Sequence, residues 1–478
     1  MQEVEKRMKK RKQQHILLAI VLGNAVQQFG FNMKRRRDRE YEEDEDEDET
    51  VDHRILPRAK RKEFQHKDTL ERLQHDYLGP EPLFDGKQFQ VMFRISKHRF
   101  ERLMQDIGNS QNPFFLECPD CVGNIPVSMQ AKLLLPLKTM AYGVPPHCFC
   151  DYFRMSRTMA RECCIMFDKV VKQLYEQEYL RYPTAEDLVG LCAVHKSIHG
   201  MDGMLGSLDC MHTYWKNCPV GWQGSYRGKE KKPTIVLEAM ADYHMWFWHA
   251  AYGYAGTLND LNILALSPFL EKLIDGSFAR LEEAAGVVPY TVASQAFNQM
   301  YILVDGIYPR YTRFVHSIKI PGTKDEEKFS KWQEACRKDI ERAFGVLQAK
   351  WQCLARPMHQ MDLNLVGNRM ASCLILHNMC VSDRVMEGDV YARYNPAATI
   401  VEGDTVDDVE YPNDLLERQG PTEPGDRSTI GGTHEDLENI VLLSRHERWN
   451  LMKDVDEYKR LHIALQERVR IVSKQRKL

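Results

Sequence analysis

The sequence has few of the features that mark secreted proteins. Its 13 cysteines follow no disulfide spacing pattern, which favours a reducing compartment. Cys118 and Cys121 form one CxxC pair, but no second CxxC pair accompanies it to complete a zinc site. Ordinary thiols are therefore the preferred interpretation of these cysteines and of the nearby His147, Cys148 and Cys150.

A long hydrophobic run is also missing. Residues 16–26 (ILLAIVLGNAV) follow a basic cluster and imitate a secretory signal, but they are too short to span a bilayer as a helix, and no A-x-A site closes them. We interpret them as a short apolar helix and expect no membrane association. A membrane tether is the alternative, and fractionation of a tagged chain with and without residues 1–33 would decide between the two.

The chain lacks the strong positive charge expected of a DNA-binding protein, since its net charge is −3. Residues 38–52 contain eleven acidic residues and one arginine, a local charge of −10, and the remainder of the chain carries +7. A run of like charge this dense repels itself and stays solvated. The remainder is basic enough to approach a polyanion through phosphate contacts.

Residues 1–85 are predicted to form a disordered tail. Basic clusters at residues 6–12, 34–37 and 58–62 are typical of nuclear import or of nucleic-acid contact, with solvated charge as the alternative. We predict that the protein is located in the nucleus.

Residues 86–190 have the spacing of a small helical domain. Ser96 and Ser128 each precede an apolar-periodic run as N-caps, and Gly143 marks the end of the second helix. A third helical run covers residues 157–171, with Arg157 and Arg161 facing outward at its start. The pattern resembles a helix-turn-helix, and a simple packing bundle is the alternative.

Three carboxylates lie in settings that suit a binding site. Asp209 and Asp305 are each predicted to end an apolar β-type run, just before a polar or glycine turn. Glu341 lies in a long helical stretch over residues 325–352, next to the apolar Ile340 and near the rim of its packed stripe. Two divalent cations stabilise the attacking and leaving oxygens in phosphodiester cleavage, and Mg²⁺ prefers few carboxylates with room for water and phosphate. Acids scattered at strand ends by chance are the alternative.

Several longer motifs resemble the PIF/Harbinger superfamily of DDE transposases, in particular the branch abundant in plants. The resemblance covers roughly residues 85–385 and keeps the family's order of motifs. The motifs are LGSLDCMHTYWKNCP at 205–219, PTIVLEAMADY at 233–243, GTLNDLNIL at 256–264, VDGIYP at 304–309, RKDIERAFGVLQ at 337–348 and LILHNM at 374–379.

This resemblance implies a fold, an activity and a site. The implied fold is α/β: an RNase H-like catalytic domain, with a mixed sheet flanked by helices, preceded by the helical domain. Asp209, Asp305 and Glu341 stand at the family's three acidic positions. Asp260 stands where many relatives have a further acid, and Asn259 replaces the histidine that usually precedes it, so no role of that histidine is transferred.

The implied chemistry is cut-and-paste DNA transposition with Mg²⁺ or Mn²⁺ as the cofactor. Water would hydrolyse a phosphodiester bond at a transposon end, and the freed 3′-hydroxyl would attack target DNA. The partners implied are terminal-repeat and target DNA, a separately encoded Myb-like DNA-binding protein, and further copies of the chain in a homo-oligomer.

Basic residues around the acids are candidate DNA contacts. A turn-rich loop after Asp209 interleaves aromatic and cationic side chains, which suits backbone contact and base stacking, although a solvated hairpin tip is equally consistent. Arg342 follows Glu341 directly and is the best candidate for a phosphate clamp. The predicted contacts around the acids are Lys216, Arg227, Lys229, Arg337, Lys338 and Arg342. Arg157 and Arg161 of the helical domain are also predicted to contact DNA.

The predicted organisation continues with the catalytic domain at 191–385, a flexible linker at 386–433 and a C-terminal helical segment at 434–478. That segment either packs on the catalytic domain or binds a partner helix. Residues 277–300 are predicted to be an inserted loop, and His377 and Asn378 are expected to pack or cap. Two functions stay open: a metal-dependent DNA transposase or nuclease, and a domesticated, non-catalytic nuclear DNA-binding or scaffolding protein.

Overall fold

The computed structural model describes residues 66–119, 123, 125–386 and 444–475. The basic clusters, the acidic run, the apolar run at residues 16–26 and residues 387–433 of the predicted linker all lie outside these residues.

The described part of the chain begins with helices, and the ends of several of them follow from capping chemistry. Ser96 accepts a hydrogen bond from the Arg99 amide and Ser128 from the Ala131 amide, while Gly143 ends its helix at φ 62°, as predicted. The third predicted helix is longer than expected because Tyr175 and Tyr179 continue its buried stripe. These helices are α1 (His66–Leu73), extended by a π-helical turn, α2 (Gly86–Phe93), α3 (Lys97–Asn109), α4 (Met129–Tyr142), α5 (Arg157–Tyr179) and α6 (Ala185–His199).

A mixed sheet follows. Its central strand β1 (Met204–Tyr214) pairs antiparallel with β2 (Thr234–Ala241), which pairs antiparallel with β3 (Phe247–Ala255). A short helix α7 (Gln223–Tyr226) lies in the loop between β1 and β2.

Three helices and a small hairpin separate β3 from the other side of the sheet. They are α8 (Asp260–Leu266), α9 (Pro268–Ile274), α10 (Ser277–Ala284), and the hairpin strands β4 (Tyr290–Val292) and β5 (Gln295–Phe297). The prediction of a loop over residues 277–300 is therefore wrong. Phe278 and Phe297 are buried in the core beside the sheet. This burial orders the stretch, although its polar sequence gave no sign of helices or strands.

Two parallel strands complete the sheet. β6 (Tyr301–Leu303) pairs with β1, and β7 (Phe314–Val315) pairs with β6, so the strand order is β3-β2-β1-β6-β7. The predicted α/β class is confirmed, because helices flank this five-stranded mixed sheet as in an RNase H-like fold.

The last helices are α11 (Lys324–Lys350), α12 (Gln352–Ala355), α13 (Leu363–Met386), α14 (Arg445–Met452) and α15 (Val455–Gln475). α15 packs against α11, so this part of the predicted C-terminal segment lies on the domain that contains the sheet, which is one of the two alternatives left open by the sequence. Leu461 and Leu465 of α15 join the same core as Phe329 of α11.

The two faces of the sheet bury two different cores. Ile235, Leu237 and Ala239 of β2 point into one core, which also contains Phe89 and Phe167 of the N-terminal helices. Met240 and Trp248 point into the other. The first core therefore contains residues from both sides of the predicted domain boundary at residue 190. The N-terminal helices pack against the sheet through this shared core.

No helix within the described ranges combines the length and the apolar character needed to cross a bilayer.

Candidate active site

Asp209 lies inside β1 and not at its end. The strand continues for five more residues because Met211 and Thr213 are buried and Tyr214 still pairs with Thr234 of β2. The prediction that a turn follows this acid is wrong, although the apolar run before it is a strand. Asp209 is half-buried, and its Oδ1 accepts a hydrogen bond from the amide of Cys210 at 2.8 Å.

Glu341 lies on α11, whose bounds agree with the predicted helical stretch. Thr323 caps this helix by accepting a hydrogen bond from the Glu326 amide. Ile340 is fully buried while Glu341 is exposed, which confirms its predicted position at the rim of the packed stripe.

Arg337 joins these two acids. Its Nη1 donates to Oδ2 of Asp209 at 3.2 Å, and its Nη2 donates to Oε1 of Glu341 at 2.8 Å. Arg337 and Glu341 are one helical turn apart, so their pairing follows from helix geometry, whereas the contact with Asp209 depends on α11 packing against β1. Two of the three predicted acids therefore meet at one guanidinium group.

Asp305 follows β6, as predicted, and is exposed. Its carbonyl accepts a hydrogen bond from the amide of Tyr308, which forms the turn of the VDGIYP motif. Asp260 is the first residue of α8, directly after Asn259, which caps that helix through the amide of Asn262. The asparagine that replaces the usual histidine thus has a structural role at a helix N-terminus.

The electrostatics connect all four acids. Burial raises the pKa of Asp209 to about 6, and the nearby charges of Asp260 and Glu341 add to the increase, while the Cys210 amide and Arg337 oppose it. Burial also raises the pKa of Asp260, and the charge of Asp305 contributes in the same direction. Asp209, Asp260, Asp305 and Glu341 therefore form one region of negative charge.

The carboxylates do not form a closed ligand set. Within the described part of the chain, no group of three or more His, Cys, Asp or Glu side chains converges closely enough to hold a metal ion. The donor chemistry nevertheless suits a hard cation, because carboxylate oxygens of Asp209 and Glu341 already flank one positive group. The four-acid ligand set stays a prediction.

Two groups beside the site were not found from the sequence. The Tyr308 hydroxyl lies 3.6 Å from Sγ of Cys210, and burial raises the pKa of both groups. Asp339, two residues before Glu341, is buried and lies 3.3 Å from Nε2 of His199. The VDGIYP motif could have pointed to Tyr308, but the position of Asp339 on the inner side of α11 required the tertiary structure.

The predicted DNA-contacting cations fall into two groups. Arg337 and Arg342 are engaged in ion pairs, Arg337 with the two acids and Arg342 with Asp339, so Arg342 is turned towards the inner side of the helix. The remaining predicted cations are all exposed, namely Lys216, Arg227, Lys229, Lys338, Arg157 and Arg161.

The loop after β1 is held to the protein by aromatic packing. Trp215 is fully buried and donates from Nε1 to the carbonyl of Gln360 at 2.7 Å. The Trp222 and Tyr226 rings stack at 6.1 Å, and Tyr226 meets Trp215 edge-on at 5.0 Å. The three rings support one another, so Lys216, which follows Trp215, is presented from an anchored base.

His377 and Asn378 have structural roles, as predicted. Nε2 of His377 lies 2.8 Å from the carbonyl of Met245, and Asn378 bonds both the amide and the carbonyl of Phe247 at 3.0 Å. Both side chains thus attach α13 to the start of β3.

Two comparisons with known proteins found similarity to this chain. Residues 177–391 match the family model described as plant transposon protein. The chain is also 22% identical over 306 residues to Protein ALP1-like of Arabidopsis thaliana. The aligned region covers 62% of this chain and 71% of that protein. No solved structure matches the chain. The resemblance drawn from the sequence motifs is confirmed.

Proposed function

We propose that the chain, which is similar to a plant transposon protein family and to an ALP1-like protein, is a nuclear, metal-dependent DNA endonuclease of the PIF/Harbinger type that cuts transposon ends and transfers the freed strand to target DNA. The observation that carries this proposal is the meeting of Asp209 and Glu341, distant in the sequence, around one cationic group beside Asp260.

Asp209, Asp305 and Glu341 would hold the divalent cations, with Asp260 assisting. Mg²⁺ or Mn²⁺ would supply the charge that stabilises the attacking and leaving oxygens of a phosphodiester. Asp305 and Glu341 are exposed, so a DNA backbone can reach them, and half-buried Asp209 fixes the inner side of the site.

The protein's own cations would position the DNA. Lys216, Arg227 and Lys229 project from the loop after β1, and Lys338 is exposed on α11. Phosphate contacts of this kind give affinity without sequence preference and make binding dependent on salt. Recognition of the terminal repeats would then fall to the exposed start of α5, at Arg157 and Arg161, and to a Myb-like partner protein, with the chain acting as a homo-oligomer.

Nicking of a duplex that carries the inverted repeats flanking the gene tests the activity. We expect Mg²⁺- or Mn²⁺-dependent nicking by the wild type, and a loss of at least about 100-fold in Asp209→Asn and Glu341→Gln, the scale of effect that removal of a key electrostatic group produces in enzyme sites. Glu334→Gln is the matched control, because Glu334 is exposed on the same helix two turns before Glu341. Equal nicking in all four proteins would reject the metal-site proposal.

A second candidate function is a domesticated DNA-binding or scaffolding protein that no longer cuts DNA. The ion pairs of Arg337 favour it, because the guanidinium offsets part of the negative charge of Asp209 and Glu341 that would otherwise attract a metal ion. This function predicts salt-dependent DNA binding with no nicking in Mg²⁺ or Mn²⁺. The same duplex, examined by gel shift and by nicking, distinguishes the two candidates.

A further inference from the structure

Arg337 differs from the other cations that flank Glu341. The Arg342 guanidinium contacts Asp339 on the inner side of α11, and Lys338 is exposed. Arg337 pairs with two acids of the candidate site, and it uses both terminal nitrogens, one for Asp209 and one for Glu341. A planar guanidinium suits this double contact, whereas a lysine ammonium is a single point charge.

The two contacts differ in their surroundings. The Asp209 side chain is 21% exposed and that of Arg337 is 17% exposed, but that of Glu341 is 45% exposed. Water therefore competes with the Glu341 contact more than with the Asp209 contact. The contact with Glu341 is therefore the easier of the two for the guanidinium to exchange.

A divalent cation would need the same oxygens. Oδ2 of Asp209 and Oε1 of Glu341 face Arg337, and an oxygen that accepts a guanidinium hydrogen bond offers that lone pair to no other cation. Each carboxylate has further lone pairs, but a guanidinium and a divalent cation held at the same pair of carboxylates repel each other, so the two cations compete for this pair.

We propose that Arg337 is an internal counter-ion that competes with divalent cations for Asp209 and Glu341, and that it is a positioning residue which swings outward when a cation binds. This inference rests on the proposed function. It adds that the chain sets its own threshold of metal concentration, and that the released guanidinium becomes available to a DNA phosphate only after the metal is in place.

Calorimetric titration of the full-length protein with Mn²⁺ alone tests the competition. We expect Arg337→Gln to bind Mn²⁺ about 10-fold more tightly than the wild type, because charge-assisted hydrogen bonds no longer have to be broken. Arg337→Lys should lie between the two, since an ammonium holds one carboxylate at a time.

Lys331→Gln is the matched control. Lys331 also forms an ion pair with a glutamate four residues away on α11, at 2.7 Å from Glu327, so this variant removes the same charge and the same type of contact. We expect its Mn²⁺ affinity to stay within about 2-fold of the wild type, because exposed pairs couple weakly to distant sites.

Thermal unfolding supplies a second measurement that needs no catalysis. In EDTA, Arg337→Gln should unfold at a lower temperature than the wild type, and Mn²⁺ should raise its Tm by more than it raises that of the wild type. If Arg337→Gln does not fold, Arg337→Lys retains the test, because its predicted affinity also exceeds that of the wild type.

The outcomes separate this inference from the proposed function. If the wild type binds Mn²⁺ and Arg337→Gln binds it equally or more weakly, the competition is rejected while the metal site stands. If neither the wild type nor Arg337→Gln binds Mn²⁺, both the metal-dependent function and the competition are rejected.

Discussion

Arginine–carboxylate pairs occur in two kinds of surroundings in this protein. Arg369 and Asp168 join α13 to α5 at 2.8 Å, and both side chains are 5% exposed. Arg313 and Glu282 form a similar pair beside the sheet, with side chains 3% and 0% exposed. Arg337 instead divides its guanidinium between two acids at the edge of the core, one of them 45% exposed.

The difference distinguishes architecture from function. When one member of a buried pair is removed, water cannot reach the charge that remains. A buried pair therefore fixes how two elements pack. A pair that is open on one side can exchange its partner for water, a metal ion or a phosphate at little cost. Exposure, more than the presence of an ion pair, therefore marks the site where chemistry can occur.

The largest effect is expected in the buried pair. Asp168→Ala leaves the Arg369 guanidinium buried without its carboxylate, which should lower the free energy of unfolding by about 3–5 kcal/mol, measured by urea denaturation. The double variant Asp168→Leu with Arg369→Met should recover most of this loss, because it removes both charges. A loss below about 1 kcal/mol in the single variant would contradict the distinction drawn between buried and open pairs.

The next largest effect concerns a buried histidine in α15. His462 lies 4.3 Å from Tyr458, ring centre to ring centre, and burial lowers its pKa to about 3, with the charge of His316 adding to the decrease. The unfolded chain therefore takes up a proton at higher pH than the folded protein does. Stability is fully present above pH about 6.5 and is lost as the pH falls towards 3.

Between pH 7 and pH 4, this histidine should lower the free energy of unfolding of the wild type by at most ~3 kcal/mol, since each unit of pKa difference corresponds to ~1.4 kcal/mol. His462→Phe should show a shallower decline, measured by urea denaturation across this pH range. His446→Gln, which changes an exposed histidine of α14, is the control and should follow the wild type. Parallel curves for His462→Phe and the wild type would contradict the assignment.

A smaller effect is expected at the open pair. Arg337→Gln should lower the free energy of unfolding at pH 7 by about 1 kcal/mol, between the values for buried and surface pairs. Asp209→Asn removes the charge that Arg337 neutralises, so the double variant should lose less than the sum of the two single variants. A double-mutant cycle measures this coupling, and additive losses would show that the contact is energetically negligible.

The smallest effect is expected at a pair exposed on both sides. Arg445 of α14 and Glu271 of α9 lie 2.6 Å apart, with side chains 51% and 56% exposed. Arg445→Gln should change the free energy of unfolding by less than ~0.5 kcal/mol, and added salt should make that difference smaller still, because it screens exposed charges. A loss above ~1 kcal/mol in urea denaturation would mean that this contact fixes the position of α14.

The sequence predicted elements well where local chemistry decides them. Ser96, Ser128 and Gly143 carry their own capping signals, and the apolar period of α11 predicts its length. It failed at residues 277–300, because Phe278 and Phe297 are ordered by packing that a local window does not contain. It also placed Asp209 at a strand end, because the pairing with β2 that extends β1 to Tyr214 involves residues far along the chain.

For the site, the sequence by itself determined which acids to examine, since Asp209, Asp260, Asp305 and Glu341 lie in recognisable motifs. Only the tertiary structure decided what surrounds them. Packing of α11 against β1 brings the Arg337 guanidinium, which pairs with Glu341 on its own helix, within reach of Asp209. The physical reason is that motifs specify side-chain chemistry, whereas an ion pair depends on distances of a few ångströms between elements that are remote in the chain.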